Sequence, residues 1–332
     1  MSRLAVTGAT GFIGGRLVAR AVGRGDDVTA LVRATSDTAG LRSLGARVRE
    51  VDWPTGAGVA EAVAGTDCVF HLAGATSARD AQGYRQGNVQ TAAVLALSLA
   101  TLPVPPRLVH CSSLSAVGPS APERRRQEDD EPAPVSLYGR SKLAGESAVR
   151  AYGARVPSVI VRPPIVYGPG DREFLPRLLP MVRRGVVPQA GSVTRLFALV
   201  HVDDLVDALL AASTRGRTVR SRLISCAEGI YHVCDGGAYA WGAITGALAH
   251  ALGRSDPVVV PVPSPVVRLV ASVAESAARV RGTVSVLNRD KAREARCVAW
   301  TCSSSAAERD LGFTAAFRLA DGLADALRAY AR

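Results

Sequence analysis

Thr7-Gly8-Ala9-Thr10-Gly11-Phe12-Ile13-Gly14 decides how the rest of this chain is read. A short apolar run, Leu4-Ala5-Val6, precedes it, and a helix-like segment, Arg16 to Val22, follows. Between a strand and a helix, three glycines at this spacing have separate roles. Gly8 turns the chain off the strand. Gly11 has no Cβ, so backbone can approach a bulky anion. Gly14 lets the helix lie against the strand. The free N–H groups at the helix start, with the positive end of its dipole, then face that anion. The stretch reads as a dinucleotide-binding turn in which Thr10, Phe12 and Ile13 complete the surface around the pyrophosphate.

Working outward, strand-like and helix-like stretches alternate. Val28–Val32, Arg47–Val51, Cys68–Leu72 and Arg107–Cys111 read as strands; Val59–Ala64 reads as a short helix. Val89–Leu99 is apolar almost all round, which predicts a buried helix. Such alternation implies an α/β fold, a Rossmann-type doubly wound parallel sheet. Past Pro163 the alternation loosens. Phe174–Arg184, Val202–Ala212, Trp241–Leu252, Ser303–Gly312 and Leu319–Tyr330 read as helices, and Tyr231–Asp235 as a strand. The expected division is a dinucleotide-binding domain over 1–165 plus parts of 195–235. Residues 166–194 and 236–332 then make a smaller C-terminal substrate lobe and closing helices.

Two segments carry their own expectations. Val266, Val267, Leu269, Val270 and Val273 predict a helix packed on the small lobe, or a lid. Contact with a membrane surface is the competing reading, because Arg268, Arg279 and Arg281 lie close by. The Pro-rich charged loop 119–134 is expected to be exposed and mobile.

With 332 residues, 48% hydrophobic and 21% charged, the chain has the composition of a globular protein. No uncharged run is long enough to span a bilayer. The N-terminal apolar run is broken at once by Thr7 and Gly8, unlike an export signal, so a cytoplasmic location is expected. The net charge of +11 comes from 38 Arg and only two Lys, Lys142 and Lys291. The arginines are scattered, and the dense run Arg124–Arg126 leads into Glu128–Glu131. Without a basic stripe and interleaved aromatics, no nucleic-acid partner is expected. The six cysteines form no CxxC pair, and Cys226, His232 and Cys234 lack a fourth ligand. No metal is expected, and the thiols are expected to be free.

Cofactor choice rests on the end of the second strand, Leu31-Val32-Arg33. A guanidinium there can pair with a 2′-phosphate, which favours NADP(H) over NAD(H). Asp37 can take the ribose instead. Asp52, just past the third strand, is placed either to accept from the adenine amino group or to cap a turn before Pro54.

The chemistry rests on Tyr138-Gly139-Arg140-Ser141-Lys142. Four residues apart on a helix, Tyr138 and Lys142 share a face. An ammonium favours a nearby phenolate and so makes the phenol a better proton carrier at neutral pH. In a chain that otherwise uses Arg, a Lys here is informative, because a guanidinium fork does not replace a point charge. Ser112 and Ser113 follow the fifth strand, at the carboxyl end where an open α/β sheet binds its ligand.

Taken together, these residues resemble the extended short-chain dehydrogenase/reductases, the NAD(P)-dependent epimerase/dehydratase family. TGATGFIG at 7–14, Asp67–Ala73, CSSLSAVG at 111–118, YGRSK at 138–142, Arg162–Gly170 and Leu199–Leu205 fit it in order. The resemblance implies that Tyr138 is the catalytic acid/base, Lys142 its tuner and Ser113 the catalytic hydroxyl. It also matches Asn88, in Gly87-Asn88-Val89, to a conserved catalytic-site Asn. It implies that Leu72, Ala73 and Gly74 line the cofactor, and that Pro163, Ile165 and Val166 give backbone contacts to the nicotinamide. A homodimer through the helices holding Leu95 and Ala144 is implied as well.

Departures narrow the activity. Leu114 and Ser115 stand where the family's dehydratases carry an Asp-Glu pair, and Ala116-Val117-Gly118 stands where its sugar epimerases show VYG. The form resembles the 3β-hydroxysteroid dehydrogenase and dihydroflavonol-reductase branches, which interconvert secondary alcohols and ketones, and a small, apolar substrate fits it. One alternative is a nucleotide-sugar epimerase with tightly held NAD, its diphosphate met by Arg183, Arg184 and Arg195. Another is a non-catalytic NADP-sensing protein, which the presence of Tyr138 and Lys142 disfavours.

Overall fold

The computed structural model describes residues 1–220, 222–223, 226–281, 283, 285 and 289–330. The first half runs β1 (Arg3–Thr7), α1 (Phe12–Gly23), β2 (Asp27–Val32), α2 (Ala39–Ser43), β3 (Arg47–Glu50) and α3 (Val59–Val63). It continues with β4 (Cys68–His71), α4 (Ala81–Tyr84), α5 (Thr91–Thr101), β5 (Arg107–Cys111), α6 (Leu137–Arg150) and β6 (Ser158–Arg162). These strands and β11 (below) form a parallel seven-stranded sheet in the order β11-β6-β5-β4-β1-β2-β3. Leu4, Ala5 and Val6 of central β1 are all buried, because helices cover both faces of the sheet. Edge strand β3 carries Arg47, Arg49 and Glu50 outward, which discourages further strand pairing. The chain order reverses between β1 and β4, and their carboxyl ends open the crevice where such sheets bind ligands.

The second half runs β7 (Ile165–Tyr167), α7 (Leu175–Arg183), β8 (Val186–Ala190), β9 (Leu196–Phe197), β10 (Leu199–His201), α8 (Val202–Ala212) and β11 (Ile230–His232). Then come β12 (Tyr239–Ala240), α9 (Trp241–Ala251), β13 (Val258–Val262), α10 (Ser264–Val280), α11 (Arg289–Arg296), β14 (Ala299–Trp300), α12 (Ser305–Leu311) and α13 (Leu319–Arg328). Strand β11 and helix α8 return to the large sheet; α8 packs its Leu205, Val206 and Leu209 into the same core as Leu17 and Val18 of α1. A smaller second core joins Leu178 and Leu179 of α7, Ile244 and Leu248 of α9 and Leu323 of α13.

Three expectations are corrected. The stretch Val89–Leu99 is not one buried α-helix: Arg85–Gln90 is a π-turn, and in α5 Leu97 is 51% exposed. The loop 119–134 is stitched down. Ser120 pairs with Ala299, Arg126 with Cys302, and Glu128 is buried, accepting from the backbone N–H of His232. A helix does form at 264–280, but it turns most of its large apolar residues outward, with Leu269 65% and Val273 60% exposed; among its described side chains only small Ala271 is fully buried. Asp203 and Asp204, in the first turn of α8, tie that helix to other elements. Asp203 takes a two-pronged ion pair from Arg16 of α1, and Asp204 accepts from the N–H groups of Ala316 and Phe317.

Candidate active site

The glycine turn is a cradle with no room for side chains. Gly8 has φ +68°, and a Cβ there would stand 2.6 Å from Ala73 N. At Gly14 it would stand 2.2 Å from the Gly8 carbonyl oxygen. Residue Gly11 caps α1 with no side-chain hydrogen bond, and the first turn of α1 holds no acidic residue. The positive helix end is therefore available to an anion, as a pyrophosphate requires. Across the crevice, the Thr7 hydroxyl accepts from Ala73 N–H at 3.1 Å and meets His71 Nδ1 at 2.8 Å. That pins Leu72, Ala73 and Gly74 beside the turn. From the far side, Gly170 comes within 3.8 Å of Phe12 when a Cβ is placed on it. The residues present fit a dinucleotide.

Beyond β2, Arg33 is exposed just past Val32, and Ser36 N–H donates to its carbonyl. The carboxylate of Asp37 accepts from Ala39 N–H, at the start of α2. Asp52 is exposed and accepts from the Thr55 hydroxyl, with Gly56 N–H on its carbonyl, so here it holds the turn before Pro54.

The chemical groups converge at the carboxyl end of β5. Ser136 is the N-cap of α6, its hydroxyl accepting from Gly139 N–H at 2.9 Å. This cap sets the first turn so that Tyr138 and Lys142 point to one side. The Tyr138 phenol faces the Ser113 hydroxyl. Burial pushes that phenol well above its usual range, and the Ser113 contact opposes the shift. Lys142 is buried, its ammonium donating to the Cys111 carbonyl at 2.7 Å, and burial lowers its pKa. Pro163 joins from β6, its carbonyl accepting from Leu114 N–H at 2.8 Å. Ile165 and Val166 follow in β7, half-buried.

Asn88 has no free atom for a substrate. Its Oδ1 accepts from Ala75 N–H at 2.7 Å, and its Nδ2 donates to Ala75 O and the Ser141 hydroxyl, at 3.0 and 2.8 Å. The π-turn places it there, tying the segment after β4 to α6. Behind Ser113, Ser112 donates to Glu146, which pairs with Arg162 at 2.7 Å. Sequence reading missed this pair, because charges in a helix and a strand look solvated until the fold encloses them. Residues of α11 were missed too. The Asp290 carboxylate accepts from the N–H groups of Leu137 and Tyr138 at 2.6 and 3.1 Å. Ser136 Oγ donates to Glu294 at 2.7 Å. Between α11 and Tyr84 lies a cavity of ≈ 270 Å³, lined also by Arg79, Leu137, Glu275 and Arg293.

The arginines expected to meet a diphosphate are not gathered. Arg183 and Arg184 are exposed at the end of α7, and Arg195 is buried, donating to the Cys297 carbonyl at 3.4 Å. Among the described residues, no helix is long and apolar enough to cross a membrane.

Comparison with known proteins agrees with this geometry. Residues 4–227 match the model of the NAD dependent epimerase/dehydratase family. The chain is 31% identical over 319 residues to ceramide reductase of Caulobacter vibrioides, covering 96% of this chain and 91% of the relative. It is 25% identical over 338 residues to 2-alkyl-3-oxoalkanoate reductase of Shewanella oneidensis, covering 97% and 85%. Among solved structures, MoeE5 in complex with UDP-glucuronic acid and NAD superposes with a TM-score of 0.74 at 27% identity, each chain covered to 99%. The chain belongs to the NAD dependent epimerase/dehydratase family, as an NAD(P)-dependent enzyme of the extended short-chain dehydrogenase/reductase type.

Proposed function

We propose that the protein reduces a ketone on an apolar, long-chain substrate to a secondary alcohol, with NADPH as the preferred cofactor. The observation that carries the reaction class is Tyr138 facing Ser113, on a helix that also buries Lys142. Bound at the glycine cradle, NADPH supplies the hydride. Ser113 holds the carbonyl oxygen. Tyr138 gives its phenolic proton to that oxygen as the carbon is reduced. Lys142, one turn along α6, limits the cost of the phenolate that remains. Asn88 acts as a positioning residue, and Gly8, Thr10, Gly11, Phe12, Ile13, Gly14, Leu72, Ala73, Gly74, Pro163, Ile165 and Val166 form the cofactor surface.

The substrate class rests on two supports. Two relatives that match over nearly the whole chain are named ceramide reductase and 2-alkyl-3-oxoalkanoate reductase, the first for a lipid and the second for an oxo group on an alkyl-bearing acid. The outward apolar face of α10 suits a substrate met at a lipid surface. Arg33 supports NADP(H), because Asp37, its rival for the ribose, already accepts from Ala39 N–H at the start of α2. A homodimer through the helices holding Leu95 and Ala144 belongs to the same proposal; Leu95 itself is buried, and exposed Leu97 and Ala144 are the residues that α5 and α6 would offer it. The scattered Arg183, Arg184 and Arg195 count against a nucleotide-sugar epimerase. The test is to strip the protein of nucleotide, titrate it with NADPH and NADH, and follow nicotinamide oxidation with long-chain ketones. Turnover with NADPH supports the reading. Stoichiometric NAD retained by the purified protein, with tight UDP-sugar binding and no ketone turnover, overturns it.

A further inference from the structure

Of 40 basic residues, 38 are Arg and two are Lys. One Lys is Lys142, in the helix of the proposed catalytic Tyr138. The other, Lys291, lies 149 positions later in sequence, in α11, and its Nζ stands 5.2 Å from the centroid of the Tyr138 ring. We propose that Lys291 is a positioning residue for proton transfer at Tyr138, its ammonium resting on the phenol ring and favouring the negative charge left after the proton departs. This rests on the proposed role of Tyr138 and deepens it.

Three neighbouring contacts show that the placement is built. Asp290 accepts from the N–H groups of Leu137 and Tyr138, closing the first turn of α6. Glu294 accepts from the Ser136 hydroxyl, the N-cap of the same helix. The Lys291 ammonium pairs with Glu294 at 2.9 Å, which orients it. Residues 290, 291 and 294 share one face of a helix. Helix α11 thus grips the turn that carries Tyr138 and lays a cation on its ring. A cation within about 6 Å of a ring centroid is attracted to the ring face, and a phenolate ring is richer in electrons than a phenol.

Charge is balanced as follows. In reduction, the Tyr138 O–H bond breaks and an O–H bond forms on the substrate oxygen. Tyr138 is left as the phenolate and regains a proton from solvent. The groups facing Tyr138 are Ser113 and Cys111 from the end of β5, Tyr84 from α4, Glu173 before α7, and Asp290, Lys291 and Glu294 from α11; Lys142 lies one turn along its own helix. Glu294 and Glu173 disfavour the phenolate. Removing Lys291 therefore leaves Glu294 unopposed and moves the Tyr138 ionisation upward.

The test compares full-length wild type, K291Q, K291R and Y138F. The pH profile of kcat is recorded for oxidation of a long-chain β-hydroxy ester with NADP. In that direction Tyr138 must start as the phenolate, so rate rises with pH through its ionisation. K291Q should move that rise up by about one pH unit, with KM little changed, and K291R should return most of the shift. A urea-unfolding double-mutant cycle of K291Q with Y138A, which needs no substrate, should be non-additive. A K291Q profile that superimposes on wild type, an equal shift in K291R, or additive cycle values would each overturn the proposal. Failure of the underlying reading looks different: wild type and Y138F then oxidise the probe equally or not at all, and the Lys291 proposal falls with it.

Discussion

Glu146 of α6 and Arg162 of β6 pair at 2.7 Å with neither side chain more than 1% exposed, and the same carboxylate accepts from Ser112. Helix α6 carries Tyr138 and Lys142; Ser112 precedes Ser113. The pair therefore locks the helix of the proposed proton donor to the strand end that carries Ser113, the proposed holder of the substrate oxygen.

Breaking that lock from one side should be costly, because the surviving charge is left buried without a partner. Glu146→Ala or Arg162→Met is expected to lose about 3–5 kcal/mol of stability by urea unfolding, and the double replacement Glu146→Leu with Arg162→Met less than either. Turnover of the folded single variants should fall roughly tenfold or more, because small displacements of catalytic groups are expensive.

Cofactor preference should follow Arg33. Replacing its guanidinium with a carboxylate, Arg33→Asp, removes a charge-assisted hydrogen bond to a 2′-phosphate and repels what remains. NADPH affinity is expected to drop by about 10–100-fold, with NADH affinity unchanged or improved, as read by fluorescence titration. Equal losses for both nucleotides would mean that Arg33 does not face the ribose.

Acid should destabilise the fold well above the usual carboxylate range. Burial holds His71 and His232 neutral, with pKa values lowered to about 3, and His110, stacked on His71, is also held well below its ordinary value by burial. Unfolded, each returns to about 6.5. Between those values the unfolded chain binds more protons, so this stability is complete above about pH 6.5 and is lost as pH falls toward about 3. Three such groups cost about 4 kcal/mol at about pH 5.5, partly offset by Glu128, Asp207 and Asp235, whose pKa values burial raises. Urea midpoints against pH should show this slope, and His110→Phe should flatten it.

Much of the fold was legible because its signals are local. Gly8, Gly11 and Gly14 report the cradle, and the buried strands of a parallel sheet read as plain apolar runs. The Tyr138–Lys142 spacing reports a shared helix face. What stayed hidden depends on distant partners. The apolar periodicity of α10 reveals an amphipathic helix but not that its face points outward. A π-turn at Arg85–Gln90 leaves no mark in an apolar pattern. The loop at 119–134 looks solvated until Glu128 meets the backbone of His232. Lys291 was conspicuous only by its rarity; nothing in its neighbourhood, Arg289-Asp290-Lys291, points to a tyrosine 153 positions earlier.

The most direct measurement of the central claim is on Tyr138→Phe. The variant keeps the ring and its packing and removes the proton. NADPH affinity should stay within about twofold of wild type, while ketone reduction at saturating NADPH should fall by roughly a thousandfold. Reduction at near wild-type rate by a Tyr138→Phe protein that binds NADPH normally would contradict the account.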